Sequence, residues 1–302
     1  PVTRFNDRPR AVPTIVGGKV ASTLDYPYIV PLLSAETTDA TEARFCAGTL
    51  IGPRWVVTAA HCVDDHTGSA VQIAVGISDL KDVASTDRIE IANIYLHEDY
   101  RPPELTHDIA LLQLATDITD PGAHWIPWQV NADLPLAGTE VVTAGWGATR
   151  TDGSNRESVL RGTLGVTTGS PREDRCGFWN TFESAYWLCV GGESGVGSCT
   201  GDGGGPVAAD LGMTRLVGVV SSGLGGACAD TRFPNVATRV STYADWIATR
   251  VGEPWREVAG ITEVSHTITG LTNEHQYRFH LTAVDPLGRS SNPVVVTVTP
   301  RT

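Results

Sequence analysis

Apolar residues fall in short runs broken by glycine, proline, aspartate and asparagine: Trp55-Val56-Val57, Val71 to Val75, Ile89 to Leu96, Ile109 to Leu114, Glu140 to Ala144 and Leu216 to Val220. Runs this short, bounded by turn formers, predict antiparallel strands and an all-β fold. Near residue 240 the period changes. Val240, Tyr243, Ala244, Ile247 and Val251 stand at helical spacing with Trp246 beside them, which predicts one helix over 241–251. Gly252-Glu253-Pro254 closes it. Beyond lie Thr267 to Leu271, Tyr277, Phe279, Leu281, Ala283 and Val294 to Val298, where alternation of period two returns. Residues 1–14, with Arg4, Arg8, Arg10 and three prolines, have no periodicity and read as a pro-segment or linker. The chain thus divides into 1–14, 15–252 and 253–302.

Composition narrows the class. A chain of 302 residues, 41% apolar and 19% charged, suits one large β domain with an appendage, or two medium domains. No stretch approaches the roughly 18 consecutive apolar residues of a membrane-spanning helix. Its first residues lack a signal-peptide pattern, so an exported form has already lost its signal. A net charge of -12 argues against a phosphate-binding surface and hence against nucleic acid as a partner. The cysteines Cys46, Cys62, Cys176, Cys189, Cys199 and Cys228 show no CxxC spacing. Their even number points to disulfides and an oxidising, extracellular compartment, with the pairing left open.

Three separated segments carry candidate chemistry: Thr58-Ala59-Ala60-His61-Cys62 after a strand, His107-Asp108-Ile109-Ala110-Leu111-Leu112 opening another, and the turn Gly201-Asp202-Gly203-Gly204-Gly205-Pro206. Singly, each has a plain structural explanation: a core histidine, a strand cap, a glycine turn. Taken in this order with Ile15-Val16-Gly17-Gly18, they resemble the trypsin/chymotrypsin family of serine endopeptidases from about Ile15 to Gly252. The resemblance implies two antiparallel six-stranded β-barrels with a C-terminal helix and bridges Cys46–Cys62, Cys176–Cys189 and Cys199–Cys228. It implies His61 as general base, Asp108 as the carboxylate that orients it with support from Ser221, and the amides of Gly201 and Gly203 as an oxyanion hole. Where the family has its nucleophilic serine, this chain has Gly203, which carries no hydroxyl. Two readings follow: a peptidase whose serine has been replaced, so that it is held intact, or a pseudoprotease that binds without cutting. Retention of His61, Asp108 and the flanking glycines favours the first.

The resemblance also implies activation by cleavage after Thr14, the freed Ile15 ammonium pairing with Asp202. Still joined to Thr14, Ile15 is expected to leave a zymogen-like chain with its pocket unformed. Ala11-Val12-Pro13-Thr14 calls for an activating protease that accepts a small or β-branched residue. The pocket corresponds to Gly197, Ser198, Ser221, Ser222, Gly223 and Asn235. Gly197 offers no carboxylate for arginine or lysine, and Asn235 adds a neutral polar group and reduces depth, so an uncharged side chain is expected. No cofactor is expected. Calcium is the alternative, in the loop from Gly76 to Asp87, but Asp79, Asp82 and Asp87 lack a recognisable ligand spacing and read as a solvated acidic loop. Residues Trp255 to Thr302 resemble the later half of a fibronectin type III module through Leu271, Tyr277 and Gly288-Arg289-Ser290, with too few residues for a complete sandwich. The expectation is a secreted monomer acting on peptide or protein, its tail a spacer or anchor.

Overall fold

The structure, a computed structural model, describes residues 15–102, 104–120, 122–154, 157–167, 176, 182–191, 196–222, 228–229, 234–252, 277–281 and 294–298. The strands among the described residues are β1 (Lys19–Val20), β2 (Ile29–Ser34), β3 (Arg44–Gly52), β4 (Trp55–Thr58), β5 (Val71–Ile73), β6 (Ile89–Leu96), β7 (Ala110–Leu114), β8 (Glu140–Gly145), β9 (Arg161–Thr167), β10 (Trp187–Val190), β11 (Pro206–Asp210), β12 (Thr214–Ser222), β13 (Asn235–Arg239), β14 (Tyr277–Leu281) and β15 (Val294–Val298). The α-helices described are α1 (Ala40–Ala43) and α2 (Ala244–Val251), both short.

Strands β2-β3-β4-β7-β6-β5 close into an all-antiparallel barrel, which leaves no unpaired strand edge. The register places Val30, Leu32, Leu50, Val56, Ile73 and Leu112 on one face of its strands, all sealed from solvent. Register shifts at Leu32/Leu33, Leu50/Gly52 and Ile91/Asn93 mark bulges, the device by which strands bend enough to close. The second body, among the described residues, is a seven-stranded sheet ordered β1-β9-β8-β11-β12-β13-β10, with the two-residue β1 at its edge. Val207, Val217, Leu188 and Ala237 cover one part of this sheet, while Leu216 and Ala208 join the core that runs into the barrel.

The expected helix is present but shorter as regular α-helix, because Val240–Tyr243 forms a 3-10 turn before α2 begins. Gly252 ends it at φ 95°, its amide bonding to Ala248 O. α2 is fastened to the barrel by Glu98, which accepts from Trp246 Nε1 at 2.9 Å and from Arg250 Nη2 at 2.6 Å. In the acidic loop, Asp79 accepts from the Lys81 amide and Asp87 from the Ala84 amide, so both carboxylates close their own turns. Of the tail, described separately, β14 and β15 pair antiparallel from Tyr277 opposite Val298 to Leu281 opposite Val294. No helix among the described residues is long and apolar enough to cross a membrane.

Ile247 is fully buried under α2. Ile247→Ala is expected to cost about 2–5 kcal/mol through the lost methylenes and the cavity left behind. Urea unfolding should show a lower midpoint at unchanged slope.

Candidate active site

The end of β4 places the imidazole. After Thr58 the chain makes one 3-10 turn, Ala60–Cys62, and the Cys46–Cys62 disulfide ties that turn to β3. Asp108 arrives from the opposite direction, just before β7, after His107 at φ 53°. The two meet twice. The His61 amide donates to Asp108 Oδ1 at 2.9 Å, and His61 Nδ1 lies 2.7 Å from Oδ2. Since a carboxylate only accepts, Nδ1 carries the proton and Nε2 is left as the ring's free acceptor. Ser221 Oγ on β12 donates to the same Oδ2 at 2.5 Å, and Thr238 Oγ1 on β13 donates to the Asp108 carbonyl at 2.8 Å. Asp108 is wholly buried, and burial of a carboxylate is tolerable only with its oxygens satisfied in this way.

Burial of the His61 ring lowers its pKa, but the hydrogen bond and charge of Asp108, with the charge of Asp64, outweigh burial and hold it above the ordinary histidine value. Asp64 itself accepts from the buried Tyr100 hydroxyl at 3.1 Å. Asp64, Tyr100 and Thr238 escaped the sequence reading because no motif marks them.

The glycine turn stands against this pair. Ala47 N on β3 donates to Gly203 O at 2.8 Å, and Gly204 N donates to Val220 O at 2.7 Å, so the turn is held from both bodies. Gly204, at φ 77°, is required: a Cβ there would drive into Thr58 Oγ1 and Ala47 O. A Cβ on Gly203 would lie 2.9 Å from His61 Nε2 and 3.3 Å from Cε1, so any side chain at 203 faces the free imidazole nitrogen, with the ring yielding by a fraction of an ångström. The amides of Asp202, Gly204 and Gly205 are committed to Cys199 O, Val220 O and Asp202 O. Those of Gly201 and Gly203 find no acceptor among the described residues. The fully buried Arg44 donates from Nη1 to Gly201 O at 3.0 Å, a contact with no sequence signature.

Asp202 is sealed behind the turn. Gly147 N donates to Oδ1 at 2.7 Å and Cys199 N to Oδ2 at 2.9 Å. Burial pushes its pKa up to about 6, against the pull of those two amides and of the Arg44 charge. Gly145 and Gly147 let the carboxylate approach, since a Cβ on either would collide with it. Glycines flanking Trp146 at a strand end are the sequence signal for that close approach. Ile15 and Val16 are buried, and Val16 forms an antiparallel bridge with Gly197, whose amide donates to Val16 O at 2.9 Å. Ile15 and Val16 thus lie inside the protein.

Around Gly197, the side chain of Asn235 turns inward. Its Nδ2 donates to Ser198 O at 2.9 Å and to Ser198 Oγ at 2.6 Å, and Ala229 lies close by, its Cα 3.5 Å from where a Cβ on Gly197 would stand. Ser222 ends β12 opposite Val236, and Gly223 lies outside the described residues. All six cysteines are paired, as Cys46–Cys62, Cys176–Cys189 and Cys199–Cys228.

The family profile described as Trypsin matches residues 15–247. "Trypsin-1" of Astacus astacus is 35% identical over 239 residues, 77% of this chain and 98% of that protein. "Fibrinolytic enzyme, isozyme C" of Lumbricus rubellus is 32% identical over 246 residues, 77% and 98%. "Chymotrypsin-C" of Bos taurus is 30% identical over 251 residues, 80% and 90%.

Two titrations follow from the electrostatics. In Asp108→Asn the hydrogen bond to the carboxylate and its charge are lost and only the weaker pull of the Asp64 charge opposes burial, so the His61 NMR midpoint is expected to fall from above the ordinary histidine value to below it. Asp202 has a folded pKa above its unfolded value of about 3.9, so its stabilising share is complete below about pH 4 and lost as pH rises through about 6. Stability measured against pH should decline across that window more in the unmodified chain than in Asp202→Asn.

Proposed function

Because the chain belongs to the trypsin family of serine peptidases, we propose that it is a secreted serine endopeptidase framework acting on peptide or protein, its reacting centre made of His61, Asp108 and position 203. The supporting observation is the direction of Gly203: a side chain there would meet His61 Nε2 within 2.9 Å of its first carbon. A serine hydroxyl at that point gives up its proton to Nε2 as its oxygen bonds to the peptide carbonyl carbon. Asp108 holds the imidazole in the tautomer that can accept, and stabilises the imidazolium formed. The carbonyl oxygen, now anionic, takes the two uncommitted amides of Gly201 and Gly203. His61 then hands the proton to the departing amine as the C–N bond breaks, leaving an ester to serine. Water, deprotonated by the same imidazole, attacks that ester, and the imidazolium returns the proton to the departing serine oxygen as the acid is released.

With glycine the first step has no oxygen, so no ester forms and a bound peptide stays whole. The Asp108 site, complete down to Ser221 and Thr238, supports a peptidase whose serine has been replaced over a chain that evolved only to bind. Activation by cleavage after Thr14 completes the proposal. Asp202 is a buried carboxylate whose pKa is already raised to about 6, and an ammonium at Ile15 is the charge that would hold it ionised. Ile15 sits at φ 37°, a conformation costly for a β-branched residue, by about 1–3 kcal/mol. Cutting the Thr14–Ile15 bond removes that constraint. The tail is proposed as a spacer of partial fibronectin type III kind; the family match ends at residue 247.

Gly203→Ser, cut after Thr14, is expected to hydrolyse peptides, to be blocked by serine-directed reagents, and to lose activity at least about 100-fold with His61→Ala. No hydrolysis of any peptide by the processed Gly203→Ser chain would overturn the proposal.

A further inference from the structure

The amide of Asn235 has only one possible orientation. One of its terminal atoms lies 2.9 Å from Ser198 O, a carbonyl that can only accept, so that atom is the donor Nδ2. The second Nδ2 hydrogen goes to Ser198 Oγ at 2.6 Å. Both hydrogens are therefore spent, and Ser198 Oγ, having accepted one, retains its own proton to give. Asn235 Oδ1 finds no donor among the described residues, and the residue is only half-buried. The result is one acceptor, Asn235 Oδ1, beside one donor, Ser198 O–H, held rigid by their mutual bonds.

Their place ties them to the reacting centre. Ser198 lies on the stretch that runs through Cys199 and Asp202 to Gly203. Asn235 starts β13, and the next residue, Val236, pairs with Ser222 beside the Ser221 that holds Asp108. Gly197 lies beside them, where a Cβ would touch Asn235 Nδ2 at 3.4 Å and Ala229 Cα at 3.5 Å. Of the described residues around Gly197, namely Ser198, Ala229 and Asn235, none carries a carboxylate.

Resting on the peptidase reading above, we propose that Asn235 and Ser198 select a carboxamide, so that the chain takes peptides with glutamine or asparagine as the residue whose carbonyl faces His61. A carboxamide NH₂ donates to Asn235 Oδ1 while its oxygen accepts from Ser198 O–H, satisfying both. Leucine strips water from the two groups and returns nothing. Lysine leaves the serine proton unmatched and its own charge unpaired. Glutamate sets two acceptors against each other. Neutral histidine offers a donor and an acceptor, but on a rigid ring in place of a flexible chain end, and ranks below the carboxamides.

The test uses Gly203→Ser cut after Thr14 with peptides differing only at that residue: glutamine, asparagine, leucine, lysine, glutamate and histidine. The better carboxamide peptide is expected to exceed leucine by about tenfold or more in kcat/KM. Asn235→Val and Ser198→Ala should each reduce the carboxamide-to-leucine ratio about tenfold. Cleavage with leucine, lysine, glutamate or histidine preferred overturns the inference and leaves the peptidase reading standing. Absence of all cleavage overturns that reading instead. The inference is then judged on the unmodified Gly203 chain by calorimetry, where the uncut carboxamide peptide should bind about tenfold tighter than the leucine peptide. Equal affinity there overturns the inference as well.

Discussion

The Asp108 carboxylate is the point on which the structure turns. It is completely buried where the two β bodies meet, and its groups are satisfied from both sides: His61 on the barrel, Ser221 and Thr238 on the sheet. An unpaired buried carboxylate would be costly, so the two bodies are obliged to meet in the one register that supplies all the donors. The same bonds that make burial tolerable fix the imidazole with Nε2 outward. Stability and site geometry are consequences of one arrangement.

The glycine turn is bound by a second set of constraints that involve no catalytic side chain. Ala47 on β3 and Val220 on β12 hold its backbone, Arg44 reaches it from the barrel, and Asp202 anchors it from beneath. These contacts explain how the geometry at 203 persists without a side chain there. In the proposed reading, what glycine removes is the reacting oxygen; the direction toward His61 and the amides of Gly201 and Gly203 belong to the backbone.

Much of this was legible in the amino-acid order. The family segments named His61, Asp108, the turn and all three disulfide pairs, and periodicity placed β6, β7 and α2 within a few residues. The strands it passed over have a physical reason. In β3 every residue from Cys46 to Gly52 is buried, so the alternation that announces a strand is absent. In β2 the central Pro31 argues against a strand, yet barrel pairing with β3 accommodates it. Arg44 and Asp64 were illegible because a charged residue declares its burial or its neighbours only in three dimensions. The inward turn of Asn235 likewise depends on Ser198, distant in sequence.

A cysteine placed at position 203 reads the central geometry directly, because the three disulfides leave no other free thiol. Facing His61, its thiolate should form well below the ordinary cysteine value of about 8.5, so alkylation by iodoacetamide at pH 6.5 should be at least about tenfold faster than in the His61→Ala background. A rate that follows an ordinary thiol titration and ignores the loss of His61 would contradict the account.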